Sequence, residues 1–440
     1  MTPLRLPRAG ARVVLGGAAA LLVALWIHWG VLAAAQSITG AGRIGLAESP
    51  WPKMLGNERN TGLTNSAPSP PAHPWLFETL GADRHILGAP ALDADGTLYI
   101  GADCLYALDG TTGRKKWEVH VISSFLWPPI VGFDKTLYVS EYRDFCALDG
   151  RTGAVRWRFK SSPEPQRVWN PQGAAEGPQN TFYSFYGSAA LSADGSVYTT
   201  SLEGNLYCIE SATGKEKWRF ETHQQIYGSP TIGQNGAVYF TGPDGLYAIN
   251  GKTGKRKWSV PHCGVFGPPA LGPDGTVYVK TGKPLADGKH QDAAVSAFDG
   301  QTGERKWECP MGRGDAASPA VGDDGTVYAG FEESWERPAP GKVVAIDGKT
   351  GRQKWVFLTP EGVYLAPAID AAGTLYIGSK GGLMYALDGA TGAAKWQVDI
   401  GAEIGTPVAI GANGLIYFGA NDGTVYALRA SDGAMAPRPK

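Results

Sequence analysis

Asp95-Gly96-Thr97-Leu98-Tyr99-Ile100-Gly101, followed by Leu105-Tyr106-Ala107-Leu108-Asp109-Gly110-Thr111-Thr112-Gly113 and then Trp117, contains the whole architecture in one copy. Apolar residues alternate between turn-forming pairs, the pattern of half-buried antiparallel strands. Pro90-Ala91-Leu92 begins an inner strand, Thr97 to Ile100 returns, Leu105 to Leu108 follows, and the Thr-Gly corner leads into an outer strand carrying Trp117. The corner recurs as Thr-Gly-x-x-x-Trp, ending at Trp117, Trp157, Trp218, Trp258, Trp307, Trp355 and Trp396. A period near 40 residues is the mark of a radial repeat.

The first turn recurs as Asp194-Gly195, Asn235-Gly236, Asp274-Gly275, Asp324-Gly325 and Asn413-Gly414, because two-residue hairpins need positive φ. Asp134-Lys135 and Ala372-Gly373 depart from it. Three residues after each turn stands a tyrosine: Tyr99, Tyr138, Tyr198, Tyr239, Tyr278, Tyr328, Tyr376 and Tyr417. Eight tyrosines and seven corner tryptophans predict an all-β, eight-bladed propeller of four-stranded antiparallel blades whose last blade lacks an outer strand. Pro74-Trp75-Leu76-Phe77 lies one repeat before Trp117 without three strands of its own, so it is expected to complete the last blade and close the ring, hiding edges that invite aggregation. Trp75 and the seven corner tryptophans read as structural, since each buries a large apolar area. Gly-Lys-Thr at 251–253 and 348–350 is turn chemistry, as no glycine stands where a phosphate loop needs one.

These strings resemble the PQQ repeat of quinoprotein-like propellers, a group that includes outer-membrane assembly factor B lipoproteins; Trp51-Pro52 and Arg59-Asn60-Thr61-Gly62 resemble the lead-in of such proteins. The resemblance runs from about Trp75 to Leu428. It implies two kinds of function, because the fold serves both dehydrogenases and non-catalytic binders. The dehydrogenases use PQQ, calcium held by acidic and amide side chains, a vicinal disulfide and a catalytic Asp beneath a stacked Trp. No Cys-Cys pair is present, and neither Asp315 nor Trp169 falls in a matching motif. Nucleophile-elbow, His-Glu-x-x-His and Cys-x-x-Cys signatures are also missing, so neither catalytic residues nor a metal are expected.

The expected organisation is a leader at 1–35, an extended, proline-rich lead-in at 36–73, the propeller at 74–430 and a flexible tail at 431–440. Arg5, Arg8 and Arg12 precede an uncharged apolar run from Val13 to Ala35. That run is long enough to span a bilayer, whereas Ala33-Ala34-Ala35 suits cleavage; anchor and signal peptide remain alternatives, and either places the propeller outside the cytoplasm. An uncleaved segment would give membrane contact. No cysteine ends the run, which disfavours lipid attachment. Beyond the leader, 37 basic residues face 41 acidic ones, a balance that excludes a nucleic-acid partner. A monomeric ring is expected. Five cysteines in an exported chain leave at least one unpaired; Cys263 and Cys309, each following a blade's Trp in neighbouring blades, are the candidates for a disulfide.

One face of the predicted ring carries only short turns. The other holds the long insertions, Lys160 to Tyr186, Thr281 to Ala294 and Glu332 to Lys342, and long loops on a rigid scaffold are where binding resides. Arg167, Trp169, Asn170, Tyr183, Tyr186, Trp335 and Arg337 are the candidate contacts with a protein or cell-envelope component, aromatic and charged together. Near the axis, Leu87, Leu126, Tyr186, Tyr227, Phe266, Ala316, Tyr364 and Ile404 form a ring that plugs the channel or, with His85, Gln225, Arg313, Asp315 and Glu403, lines a funnel for a small ligand. The readings that follow are a non-catalytic binder, a PQQ-dependent oxidoreductase, and a carbohydrate-binding propeller stacking sugars on Trp169, Trp335 and Tyr183.

Overall fold

The computed structural model describes residues 53, 56–57, 72–79, 86, 88–120, 128–141, 144–161, 185, 187–242, 244–261, 267–284, 291–334 and 339–437. The leader at 1–35 and most of the lead-in lie outside these residues. No helix among the described residues is long and apolar enough to cross a membrane.

Eight antiparallel sheets follow one another around a ring. Blade one shows the plan, with strands Ala91–Leu92, Thr97–Gly101, Leu105–Asp109 and Lys115–Val119 running from the inside outward. The second strand is wholly buried whereas the outer strand is exposed at Lys115 and Lys116 and half-buried from Trp117 to Val119, so burial falls with distance from the axis. Trp75–Glu78 pairs antiparallel with Thr424–Arg429, setting Trp75 opposite Ala427. Blade eight thus contains both ends of the ring. Ala72 donates its N–H to the Asn413 carbonyl at 3.0 Å, and the packing runs on to Gly433, past the boundary drawn at 430.

Blade six departs from four strands. Asp315–Ala316 and Ala320–Val321 both pair with Thr326–Glu332, so the sheet has five. The second strand here is seven residues long against five in blade one. Gly314 makes room for the extra pairing: a Cβ there would lie 2.0 Å from the Glu332 carbonyl oxygen.

The register explains the repeat. Each tyrosine faces a small residue on the third strand, which in turn faces the outer-strand tryptophan, as in Tyr99–Ala107–Trp117 and Tyr198–Cys208–Trp218. The small side chain lets the two rings meet over it, with centroids 5.7–6.0 Å apart in all eight blades. Both ring donors then converge on one carbonyl of the next blade. Tyr239 Oη and Trp258 Nε1 donate to Gly300 O at 2.8 and 3.2 Å, and Tyr328 and Trp355 donate to Gly389 O. Tyr417 and Trp75 carry the pattern across the seam to Gly110 O, at 2.7 and 3.0 Å. The corner glycine receives the ring itself: at Gly254, with φ +70°, a Cβ would stand 2.8 Å from Trp218. Thr-Gly-x-x-x-Trp therefore encodes a socket for the preceding blade and a plug for the following one.

Trp258→Ala is expected to lower stability by about 3–5 kcal/mol. Trp258→Phe, which keeps a ring but loses the bond to Gly300, should cost about 1 kcal/mol. Urea-denaturation midpoints measure both, and equal losses would contradict this division of labour.

Candidate functional site

The inner face of each blade meets the next through the crossing segment between them. Near the end of three second strands a glycine stands because a crossing side chain fills its space: Val363 lies against Gly330, Ile404 against Gly378 and Ile86 against Gly419, each within 2.4–2.6 Å of where a Cβ would be. Ile86, Val363 and Ile404 are fully buried. At the corresponding position blade five has Lys280 instead, and Lys280 reaches Asp315 on the crossing into blade six, Nζ to Oδ2 3.1 Å. An ion pair replaces an apolar plug at this junction.

From there polar contacts run across four blades. Asp315 is the cross-strand partner of Glu332, so two carboxylates lie on neighbouring strands. Glu332, 1 % exposed, pairs with Lys380 of blade seven. Lys380 also stands over the Tyr364 ring, 5.1 Å from its centroid. Tyr364 donates to the Ile404 carbonyl at 3.2 Å, and Asn421 of blade eight donates to Glu403 at 2.9 Å. Burial holds the Glu332 carboxyl above the ordinary glutamate range while Lys380 pulls it back. The other Glu332 oxygen meets no donor among the described residues.

Among the funnel candidates, the structure brings Asp315, Tyr364 and Glu403 into this chain of contacts. Gln225 and Tyr227 lie on the crossing between blades three and four and bond to each other. Arg313 is exposed at the end of blade five's outer strand, opposite Asp292. His85 lies outside the described residues, as do Arg167, Trp169, Asn170, Tyr183, Tyr186, Trp335 and Arg337. Lys280, Glu332 and Lys380 were not among the funnel candidates. Lys280 was legible: it occupies a position that is Gly101, Ser140, Thr200, Thr241, Gly330, Gly378 or Gly419 in the other blades.

Two more clusters carry ligating groups. Glu141, Asp144 and Cys146 converge in blade two, but the Arg158 guanidinium already sits among them, bonded to Glu141 and 3.5 and 3.3 Å from Asp144 and Cys146. In blade one Cys104 Sγ lies 3.0 Å from His120 Nδ1. Cys104, Cys146, Cys208 and Cys309 are free thiols, so the disulfide considered for Cys309 is not formed; Cys263 lies outside the described residues. Burial pushes the Cys208 thiol up to about 11. Cys146 and Cys208 take the places of Tyr106 and Ala107 in the repeat, as core residues.

A family model described as outer membrane protein assembly factor BamB matches residues 75–188, 167–264, 264–361 and 360–436, the whole ring. The chain belongs to the BamB family. The crystal structure of BamB from Moraxella catarrhalis superposes with a TM-score of 0.53 at 16% identity, covering 80% of this chain and 98% of that one. Quinohemoprotein alcohol dehydrogenase ADHIIG from Pseudomonas putida HK5 superposes with a TM-score of 0.66 at 14% identity, covering 90% and 82%. At such identities both likenesses show the propeller fold alone. The serine/threonine-protein kinase AfsK of Streptomyces coelicolor is 29% identical over 215 residues, 47% of this chain and 23% of the kinase, and that of Streptomyces griseus is 28% identical over 180 residues. The matched region thus spans less than a quarter of those kinases.

Because the folded-state pKa of Glu332 is raised, folding takes up a proton there, and this group's contribution to stability falls as pH climbs from the acid range to neutrality. Lys380→Met removes the opposing cation and should cost about 3–5 kcal/mol at neutral pH. The loss should shrink as pH falls toward the raised pKa. Denaturation midpoints of variant and wild type, compared across that window, give the sign.

Proposed function

We propose that this BamB-family chain is a non-catalytic, extracytoplasmic propeller that binds a protein or cell-envelope component through the face where second strands meet third strands. The observation that carries this reading is the engagement of the axial polar groups with one another. Lys280 with Asp315, Glu332 with Lys380, and Tyr364 with the Ile404 carbonyl join neighbouring blades, so these side chains serve cohesion of the ring. A catalytic constellation instead needs a base, an orienting group and a reacting atom converging on open space.

Recognition is then carried by what projects from this face. In blade five the second and third strands, Val277–Pro284 and Gln291–Phe298, run eight residues each, and in blade six they run seven, against five in blade one. Extended hairpins held on packed sheets are rigid enough to present a surface at little entropic cost on binding. The segment from Lys160 to Tyr186 and the residues Trp335 and Arg337 join the same face in the repeat order and supply aromatic and cationic contacts of the kind that dominate interfaces. The assembly-factor description of the family agrees with a protein partner.

Removing Ser161 to Thr181 should abolish recovery of envelope proteins that co-purify with the wild-type chain and leave its thermal midpoint unchanged. Equal recovery of every such protein would overturn the reading. So would saturable binding of PQQ with calcium accompanied by dye reduction on alcohols or sugars.

A further inference from the structure

The residue two beyond an outer-strand tryptophan faces the following blade, level with the third-strand residue that precedes the small one beneath the tyrosine and tryptophan rings. At four junctions both positions are aromatic. Phe77–Tyr106, Phe159–Tyr207, Phe220–Tyr247 and Phe357–Tyr385 stand with ring centroids 5.1–5.9 Å apart. Where blade four meets blade five, the same two positions hold Val260 and Ser296. Both rings are missing there. Other junctions that lack the pair keep a filler: the Arg158 guanidinium lies 3.3 Å from Cys146, while Cys309 with Val344, and Val398 with Tyr426, belong to continuous hydrophobic clusters.

Between blades four and five the space is instead a cleft of about 410 Å3, in the size range of ligand sites. Val260, Ala294 and Phe298 give it apolar walls, and the Ser296 and Thr281 hydroxyls, 2.8 Å apart, lie at its floor. Asp292 also lines it. In blades one, three, four and eight the third-strand tyrosine donates its hydroxyl to an acidic residue three or four positions earlier: Asp103 at 3.0 Å, Glu203 at 3.4 Å, Asp244, and Asp422 at 2.7 Å. Asp292 stands four positions before Ser296, on the same side of the strand Gln291–Phe298 as Ala294 and Ser296. Blade five has lost the phenol and kept a carboxylate where a phenol's acceptor stands.

We propose that this cleft is the docking site for one tyrosine side chain of a protein partner, whose ring takes the place of the missing pair and whose hydroxyl donates to Asp292. The proposal rests on the reading of the chain as a protein binder. A tyrosine carried on a chain fits better than a free phenol because of the mouth. Pro310 and Gly312, exposed on the outer strand, line it and leave room for a partner's backbone. The cleft also continues along the extended hairpin of blade five, which already belongs to the recognition face. Burying the ring against apolar walls supplies the affinity, and the charge-assisted bond to the carboxylate selects tyrosine over phenylalanine.

The test titrates the full-length chain with blocked Gly-Tyr-Gly, blocked Gly-Phe-Gly and p-cresol, read through the methyl resonances of Val260 and Ala294. Saturable shifts at both methyls are expected with Gly-Tyr-Gly, and about 10-fold weaker binding of Gly-Phe-Gly, since it lacks the bond to a charged acceptor. Asp292→Ala, at an exposed position, should weaken Gly-Tyr-Gly by the same factor and leave Gly-Phe-Gly unchanged. Val260→Phe combined with Ser296→Tyr rebuilds the pair of the other junctions; it should abolish binding while the melting midpoint holds or rises. Absence of saturable shifts with Gly-Tyr-Gly, equal affinity for the two peptides, or binding that survives the rebuilt pair would each overturn the proposal. So would p-cresol binding with the peptides refused, which marks a site for a free small phenol. None of these readouts depends on recovery of envelope proteins, so their failure leaves the reading of the chain as a protein binder standing.

Discussion

At seven of the eight junctions one backbone carbonyl accepts two hydrogen bonds from the blade before it, and the ring depends on that shared acceptor. A buried carbonyl has two lone pairs to satisfy, and here a tyrosine hydroxyl and an indole N–H satisfy both. Gly251 O, for example, takes Tyr198 at 3.0 Å and Trp218 at 3.1 Å. Two such bonds contribute about 1–3 kcal/mol together, and the tilted ring pair adds about 0.5–1.5 kcal/mol. The geometry matters more than the sum. A fixed acceptor and a glycine socket set the rotation between neighbouring sheets, and the same rotation repeated eight times brings the last sheet back to the first.

This rule made the fold legible and left much of the site unread. Repeated identical contacts write themselves into the chain as repeated letters, which is why the corner motif and the tyrosine spacing yield eight blades. Even the exceptions follow: Lys135 adopts φ 61° where other blades have glycine in that turn, and its ammonium pairs with Asp95 and, at 3.6 Å, Asp93. Trp157 of blade two donates to Ser211 O at 2.8 Å and Trp396 of blade seven to Ala430 O at 2.9 Å, so the acceptor need not be a glycine carbonyl. Site residues obey the opposite logic, because they stand out by breaking the repeat. Lys280 was visible in that way. Lys380 and Glu332 were not, since their partners come from neighbouring blades and no spacing within a repeat predicts which ones meet.

The axial ion pairs show how such a ring is specialised without altering its plan. At three junctions, leaving blades six, seven and eight, apolar crossing residues pack on glycine; leaving blade five, Lys280 and Asp315 take that place, and Glu332 with Lys380 adds a second ion pair between blades six and seven. Buried pairs are poor stabilisers by themselves, because desolvation offsets attraction. They do specify which groups face each other, and Asp315 beside Glu332 is tolerated because a lysine from each flanking blade compensates it. The extended hairpins of blades five and six rise from this same sector. Rigidity below and reach above are properties of one stretch of the ring.

The most direct test of closure is amide hydrogen exchange on the intact chain and on a chain lacking residues 72–79. Loss of Trp75 and its strand should expose Thr424–Arg429 to rapid exchange and, across the seam, deprotect the Asp109 to Gly113 corner that holds the Trp75 ring. Unchanged protection at both places would contradict the account, because the two ends would then be held together by something other than the contacts described.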